Sequence, residues 1–521
     1  MPLLKTEYHK AFYILGLLAM AVSVTLSLYV MSLAQFWLML NWLAEGRLKQ
    51  KFKTFFQNKA ALAFFGIYAL HLLGLLYTYN FSFAAADLRI KLPLLGLPII
   101  MASSQALNRR TINYILLFHV SASFLSTLSS LYIFFTQTIT DMRQLSVFIS
   151  HIRFSLNLCV DVFILMSFIF GQYRFKRWHK AVFGLLAAWF VYFMLFMESF
   201  TGIFILLITG LIVLLVFFLK KTKPLYRMAF FAFLMLGCVA VFFYFRSLYH
   251  EVNSAQPIDV AKLQYTTSHG GTYVHDIDNK ITDNGNYTWM YVCEEELQSA
   301  WNKRSPRRYD SVDRLHQPIK FTLVRYLTSK GLRKDMDGVN ALSDAEVHLI
   351  ENGVANRNNA KIGSFENRIK NTIWEYENYK ITHDPRGRSM IQRMELWRVS
   401  FILIQKNLWF GSGTGDVNDV FTYGLYNNNS LLYGSELRSH NQYLTITLAF
   451  GLVGLLVFLF CIFYPPFKLK KFSNYLYLSF FLIVMISMLT EDTLETQAGV
   501  TFFAFFSCLF LFADKKQPTT E

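Results

Sequence analysis

Charged residues are scarce in this chain of 521 residues: they account for 16% of it, whereas hydrophobic residues account for 54%. A soluble protein of this size usually carries about 25% charged residues. The deficit argues against a soluble enzyme and indicates a chain that is largely in contact with lipid. The mean hydropathy of +0.32 agrees with this interpretation.

Cysteine is also scarce, with five residues in the whole chain. Four of them (Cys159, Cys238, Cys461 and Cys508) fall inside apolar runs, and the long polar segment contains only Cys293. Cys293 therefore has no intrachain partner in that segment, and we expect disulfides to play no part in the fold. Internal repeats and low-complexity tracts are absent as well.

Apolar runs long enough to cross a bilayer as helices recur along the chain. Their positions predict an all-α polytopic membrane protein with about 12 transmembrane helices. The N-terminal stretch MPLLKTEYHK has no clean cleavage site after it, so the first run is predicted to be a transmembrane helix rather than a signal peptide. The runs are 11–23, 25–43, 60–78, 88–104, 112–135, 154–170, 181–198, 202–219, 228–245, 441–464, 475–490 and 497–513.

The formal net charge of +16 suggests a nucleic-acid partner until its distribution is considered. With the N-terminus inside, the inner segments hold 22 of the 50 basic residues and the short outer turns hold 4. The remaining 24 lie in one long outer loop that is also rich in acids. This bias follows the positive-inside rule. It predicts that both termini are cytoplasmic, and no nucleic-acid partner is expected.

The chain divides into three segments by composition. We predict a nine-helix transmembrane region over 1–245, a large outer loop domain over 246–439 between spans nine and ten, and three C-terminal transmembrane helices with a short cytoplasmic tail over 440–521. Within the loop, the spacing of Ser343 and Glu346 is that of a capping box and predicts a short helix.

The end of the loop has apolar residues at helical spacing, including Met390, Met394 and Phe401, with Arg and Glu between them. This pattern predicts an amphipathic helix near 389–406 that lies on the outer membrane surface. The alternative is a core helix of the loop domain.

Two motifs in the loop suggest ligands only weakly. GSGTGD (411–416) lacks a preceding strand and a Gly-Lys-Ser/Thr ending, so we interpret it as flexible backbone near the membrane surface rather than a phosphate loop. In SHGGTYVHDID (268–278), two histidines and two aspartates follow no tight zinc spacing. A loop turn is favoured there over a metal site.

Asp161 is an ionisable residue inside the sixth apolar run. An ionisable residue inside a membrane-spanning helix suggests a functional site, because burying its charge in lipid is costly. Asp161 lies toward the outer third of the run, from where it is expected to reach water or Arg153. A structural role and a functional role are both open.

RSHNQYL (438–444) marks the point where the long loop enters the tenth span. His440 is predicted on the outer face, where a histidine can accept a proton near neutral pH. Arg438 and the helix that carries Arg393 can be brought close to it. Guanidinium groups suit bidentate binding of phosphate.

Four motifs together resemble the O-antigen ligase family, which includes O-antigen polymerases and protein O-oligosaccharyltransferases. They are Arg393 with Trp397, the glycine-rich stretch 411–415, Ser-His-Asn from Ser439, and Gly-Leu-Val-Gly from Gly451. Their order, and their position after a long outer loop, match the family pattern.

The resemblance implies a GT-C-like fold in a bacterial inner membrane, with the large loop in the periplasm. It implies inverting transfer of an oligo- or polysaccharide from undecaprenyl diphosphate to an acceptor hydroxyl, with no cofactor and no metal. Lipid A core is the favoured acceptor. The alternative reactions are transfer to protein hydroxyls and polymerisation of the glycan chain. The alternatives to an enzyme are a transporter of lipid-linked glycans and an inactive scaffold.

Carried over by position, the resemblance makes His440 the general base and Arg393 a ligand of the lipid diphosphate. The family usually has a second arginine in the hairpin after the seventh span, where this chain has Phe200 in the sequence SFTG. Arg153 and Arg438 are therefore predicted to bind the diphosphate in its place.

Overall fold

The structure is a computed structural model, and it describes residues 6–137, 139, 142–171, 175–255, 257–360, 365–435 and 437–514. The predicted cytoplasmic tail after residue 514 lies outside the described residues. In the described part of the chain the regular secondary structure is helical, apart from one small β-hairpin and isolated β-bridges.

The first eleven helices cover the segment predicted as nine spans. Several begin at asparagine or serine residues whose side chains accept a backbone N–H of the first turn, as at Asn58, Asn80, Asn108 and Ser150. These caps explain why the apolar runs become separate helices. The helices are α1 Thr6–Leu26, α2 Leu28–Ala44, α3 Leu48–Gln57, α4 Lys59–Leu73, α5 Phe81–Ile90, α6 Leu92–Ser103, α7 Arg109–Thr136, α8 His151–Phe170, α9 Arg177–Phe196, α10 Phe200–Lys221 and α11 Pro224–Asn253.

Ten helices and a hairpin follow. The predicted capping box is confirmed: Ser343 and Glu346 cap the start of α15 reciprocally. The hairpin pairs Thr282 with Tyr287 around an Asn-Gly turn. The elements are β1 Thr282–Asp283, β2 Asn286–Tyr287, α12 Glu294–Arg304, α13 Ile319–Ser329, α14 Met336–Asn340, α15 Asp344–Glu351, α16 Phe365–Thr382, α17 Ser389–Lys406, α18 Val417–Asn427, α19 Gln442–Lys468, α20 Tyr475–Ser487 and α21 Gln497–Cys508.

Eight helices of the described chain are long and apolar enough to cross a membrane: α1, α4, α7, α8, α9, α10, α11 and α19. Three shorter apolar helices correspond to α2, α20 and the C-terminal helix 497–513. The predicted fourth span, 88–104, is instead divided between α5 and α6, which meet at Lys91. The all-helical membrane prediction is confirmed, and the total of twelve spans stays a prediction.

The described residues form two packing units. The first takes those within 1–138, 143–217 and 392–521, and the second those within 139–142 and 218–391. Packing thus assigns α11 to the same unit as the loop domain, and it assigns most of α17 and all of α18 to the unit with the other apolar helices.

Each unit has its own core. In the first, α4 packs on α19, α1 packs on α2 and α7, and α8 packs on α9. In the second, a cluster around Trp301, Leu323 and Ile350 joins α12, α13 and α15.

The glycine-rich loop 411–416 is packed, so the prediction of flexible backbone is wrong. A Cβ on Gly411 (φ 68°) would lie 2.4 Å from the carbonyl carbon of Ala449. The amides of Ser412 and Gly413 donate to the carbonyls of Leu448 and Ala449 at 2.9 and 2.8 Å. The glycines are needed because two backbones approach closely, rather than for mobility.

Gly451 interrupts α19 opposite this loop. Its φ of 66° and ψ of −168° are not helical. Leu452 consequently donates its amide to the carbonyl of Leu408, at 2.8 Å, outside the helix. The break fixes the end of α17 against α19, the helix that begins just after His440.

Candidate active site

A nine-residue connector joins α20 to α21, and we call residues 488–496, MLTEDTLET, the acidic connector. Its carboxylates Glu491 and Asp492 are each 7% exposed. The side chain of Glu495 is 8% exposed. Buried carboxylates require cationic or hydrogen-bonding partners, and the partners here include every basic residue that the sequence predicted for the site.

Asp492 holds the backbone at the start of α19. Its carboxylate accepts the amide of His440 at 2.9 Å and the amide of Asn441 at 3.1 Å. The hydroxyls of Ser439 and Thr445 donate to the same carboxylate at 3.2 and 2.7 Å. These four bonds hold His440 in the left-handed conformation, with φ 49°, which a residue with a Cβ rarely adopts.

The imidazole of His440 is half-buried. Within the described part of the chain, it makes no side-chain hydrogen bond. An imidazole placed by its backbone alone keeps both nitrogens available for a ligand, which suits a general base.

Arg393 approaches the acidic connector from α17. Its Nη2 donates to Glu491 Oε1 at 2.6 Å. Its Nε, and the indole Nε1 of Trp397 one helical turn further on, are buried and have no hydrogen-bond partner among the described residues. Unpaired buried N–H groups are rare in folded proteins, so these two are suited to donate hydrogen bonds to an anionic ligand.

Arg153 approaches from α8 and is 6% exposed. Its Nη2 donates to the backbone oxygen of Asp492 at 3.1 Å, and its Nη1 donates to Thr493 Oγ1 at 3.3 Å. Arg153 therefore places a positive charge beside Asp492, the residue that holds His440.

Glu495 binds the remaining cations. Lys91 Nζ donates to its Oε2 at 2.8 Å, and Arg438 Nη1 lies 3.6 Å from the same oxygen. Burial would raise the pKa of Glu495, but the Lys91 ammonium and hydrogen bonds from Lys91 and Gln442 hold that pKa below its usual range. Glu495 is thus an anion, whose charge keeps Lys91 and Arg438 at the site.

Burial raises the pKa of Asp492, and the nearby charge of Glu495 raises it further. The hydrogen bonds from Thr445 and from the His440 backbone act in the opposite direction. Asp492 and Glu495 therefore differ: cations hold the pKa of Glu495 below its usual range, whereas the pKa of Asp492 stays raised despite its hydrogen bonds.

The structure brings together all four residues that the sequence predicted, since His440, Arg393, Arg153 and Arg438 each contact the acidic connector. Sequence reasoning missed the three carboxylates and Lys91. The available signal was a set of three acids within five residues of a turn between two apolar runs, on the side of the membrane predicted for His440.

The hairpin with Phe200 packs on the helix that carries Arg153. A Cβ on Gly202 would lie 2.6 Å from Ser155 Cβ, and Cys159 Sγ lies 3.2 Å from the Gly202 carbonyl oxygen. Phe200 is the first residue of α10 and is half-buried. The position at which the family usually has an arginine is therefore next to α8.

Two other candidates do not join this site. Asp161 is fully buried and lies 3.5 Å from His119 Nε2, so the prediction that it reaches water or Arg153 is wrong. In the loop domain, His269 pairs with Asp337 at 2.9 Å, whereas His275 binds the carbonyl of Gln264 at 2.8 Å. No group of three metal-ligating side chains occurs among the described residues.

Comparison with known families supports the resemblance. Residues 348–459 match the family model described as Wzy_C: O-Antigen ligase. The matched segment contains Arg393, the glycine-rich loop, His440 and Gly451. A search of curated proteins finds no match.

The match makes the segment 348–459 similar to O-antigen ligases, and the chain around it has eight apolar helices of membrane-spanning length in its described residues. Members of this family are glycosyltransferase-like ligases.

Proposed function

We propose that the protein is a glycan ligase, which transfers an oligo- or polysaccharide from undecaprenyl diphosphate to an acceptor hydroxyl at the periplasmic face of the inner membrane. Lipid A core is the acceptor that we favour. The observation that carries the proposal is the convergence of one histidine and three arginines on the acidic connector.

His440 acts as the general base in this scheme. It takes the proton of the acceptor hydroxyl while the hydroxyl oxygen attacks the anomeric carbon of the donor sugar. The bond between that carbon and the diphosphate oxygen breaks, and the electron pair leaves with the diphosphate. Attack opposite the leaving group inverts the anomeric configuration. The role of Asp492 is to hold the His440 backbone so that the imidazole faces the acceptor.

The arginines stabilise the leaving group. Negative charge develops on the diphosphate as the glycosidic bond breaks, and fixed guanidinium groups offset it best. Arg393 contributes its unpaired Nε beside the Trp397 indole N–H, and it exchanges its contact with Glu491 for a phosphate oxygen. Arg153 and Arg438 supply the further charge that the missing hairpin arginine would have given.

The buried His119–Asp161 pair supports a second candidate, a transporter for lipid-linked glycans. Ionisable groups inside membrane helices often mark a transport pathway. Both oxygens of Asp161 and His119 Nε2 lack hydrogen-bond partners in the described part of the chain. The ligase is favoured because its residues form one connected site on one face, whereas this pair stands alone.

The deciding experiment offers purified protein a glycan on undecaprenyl diphosphate, with lipid A core and a serine-containing peptide as competing acceptors. Wild-type protein should glycosylate lipid A core, and His440→Ala should abolish transfer while remaining folded. His269→Ala, a surface histidine, is the matched control and should keep full activity. Retained transfer by folded His440→Ala would refute the role of the base. Movement of the lipid across vesicles without any transfer would favour the transporter.

A further inference from the structure

A groove of about 920 Å³ opens beside Arg438. It lies entirely within the first packing unit, and we call it the tyrosine groove. Pockets that hold small molecules have volumes of about 300–1,000 Å³, so the groove is large enough for several sugar rings. Its main lining residues are Asn418, Thr422, Tyr423, Tyr426, Tyr433 and Arg438.

Helix α18 forms one wall of the groove because one of its faces is apolar and buried, and the other is exposed. Phe421 and Leu425 are buried in an apolar cluster with α17. The close approach is possible at Gly424, where a Cβ would lie 2.6 Å from Leu403 Cδ1. The opposite face therefore points outward and exposes Tyr423 and Tyr426, which are 65% and 58% exposed.

The aromatic wall continues from α18 into the next segment. The rings of Tyr426 and Tyr433 have centroids 5.2 Å apart. Asn418 and Thr422 stand on the same side of α18 and make no side-chain hydrogen bond within the described residues. The wall thus combines ring faces with unpaired amide and hydroxyl groups.

This combination fits a saccharide. The C–H faces of pyranose rings pack on aromatic rings, while their hydroxyls bond to amide, hydroxyl and phenol groups. Tyrosine offers both an apolar ring and a polar tip. A purely lipid-facing surface would not need the amide of Asn418 or the carboxylate of Asp419 in the same groove.

Arg438 connects the groove to the acidic connector. It lines the tyrosine groove, and it also lines the smaller inner cavity that contains Lys91 and Glu495. Its guanidinium lies over the Phe83 ring at 5.8 Å. A diphosphate at Arg438 would therefore have its attached sugars directed toward the tyrosines.

We propose that the tyrosine groove binds the donor glycan, through the sugar residues nearest the diphosphate. This inference rests on the proposed function, and it adds that the donor is recognised by its sugars as well as by its lipid diphosphate. An acyl chain would leave the amide and hydroxyl groups of this wall without hydrogen-bond partners.

The test compares two lipids on the full-length protein in nanodiscs: undecaprenyl diphosphate alone, and undecaprenyl-diphosphate-linked glycan isolated from the membranes of the cells that make the protein. Wild-type protein should bind the glycan-bearing lipid more tightly. The double variant Tyr423→Ala/Tyr426→Ala should bind it about tenfold more weakly, since two aromatic contacts are lost. Its affinity for the bare lipid should not change.

Two further variants control for the aromatic rings. Tyr423→Phe/Tyr426→Phe keeps the ring faces and should retain most of the preference for the glycan-bearing lipid. Tyr132→Ala removes another exposed tyrosine, on α7 and 70% exposed, and should behave as wild type.

Three results would overturn the inference. In the first, the double alanine variant would keep the wild-type preference for the glycan-bearing lipid. In the second, it would lose affinity for both lipids equally, as expected of a surface that contacts only lipid. In the third, donor binding is unchanged but the KM for the acceptor rises, which assigns the groove to the acceptor. The proposed function fails separately, if wild-type protein binds neither lipid.

Discussion

Asp492 shows how one side chain can set the geometry of another residue without touching its functional group. Its carboxylate accepts both the His440 and Asn441 amides and two hydroxyls. A non-glycine residue in a sparsely populated conformation costs about 1–3 kcal/mol. The carboxylate offsets that cost, because hydrogen bonds to a charged group stabilise by about 1.5–3 kcal/mol.

We expect Asp492→Asn to lower kcat about 10- to 100-fold, since an amide has one acceptor oxygen where the carboxylate has two. The KM for the donor should change little, because Arg393 and Arg438 do not depend on Asp492. Steady-state kinetics with varied donor would separate the two parameters. Asp278→Asn, at an exposed position of the loop domain, is the matched control. An equal loss in a variant that no longer folds would show only that Asp492 stabilises the protein.

Phe200 stands where an arginine is usual in the family. We expect Phe200→Arg to fold and to raise transfer by about tenfold or more, because one additional charge-assisted contact to phosphate is worth about 1.5–3 kcal/mol. The hairpin packs on α8 through Gly202, so the new guanidinium would lie near Arg153. Phe200→Leu controls for the loss of the ring. Misfolding of the arginine variant alone would mean that the side chain at 200 must remain apolar.

At the scale of elements, the sequence predicted the residues with distinctive chemistry and missed those that become important through contact. His440 and Arg393 could be identified because the motifs around them resemble those of the O-antigen ligase family. Glu491 and Glu495 look like ordinary turn residues between two short apolar helices, and only the packing of α20 and α21 brings them to the arginines. Helix α15 was predicted from its capping box, which is a local property.

The glycine-rich loop shows the same limit. Its glycines suggested mobility, because a single sequence cannot reveal that a second backbone approaches at Gly411 and Gly451. Of these two glycines, Gly451 gives the sharper test of whether the close approach needs glycine, since only glycine readily adopts its φ and ψ. A Cβ there would lie 2.1 Å from the Trp409 carbonyl carbon.

Gly451→Ala should therefore lower the free energy of unfolding by about 3 kcal/mol or more, from backbone strain and the clash together. Thermal unfolding in detergent measures the effect as a lower Tm. Gly184→Ala is the matched control, because that helical glycine has no atom within 4 Å of an added Cβ. Equal Tm values for the two variants would mean that the break in α19 is not needed.

At the scale of the whole molecule, the open question is whether the broken pair α5 and α6 crosses the membrane. Lys91 binds Glu495 at the start of α21, and the amide of Leu107 donates to the carbonyl of Ala513 at its end, at 2.9 Å. The chain from 91 to 107 thus runs beside the full length of 497–513. If the C-terminal helix crosses the bilayer, α6 crosses with it.

Whether α5 and α6 form a span decides on which side of the membrane the loop domain lies relative to the N-terminus. With α5–α6 as a span, seven crossings separate residue 53 from residue 278, and the two positions face opposite sides; without it, six crossings place both on one side. We expect Asp278→Cys to react with a membrane-impermeant maleimide on intact spheroplasts, and Lys53→Cys to react only after lysis. Both variants need a Cys238→Ala background, because Cys238 is the exposed native thiol. Labelling of both cysteines before lysis would remove the fourth span and would place the N-terminus on the same side as the loop.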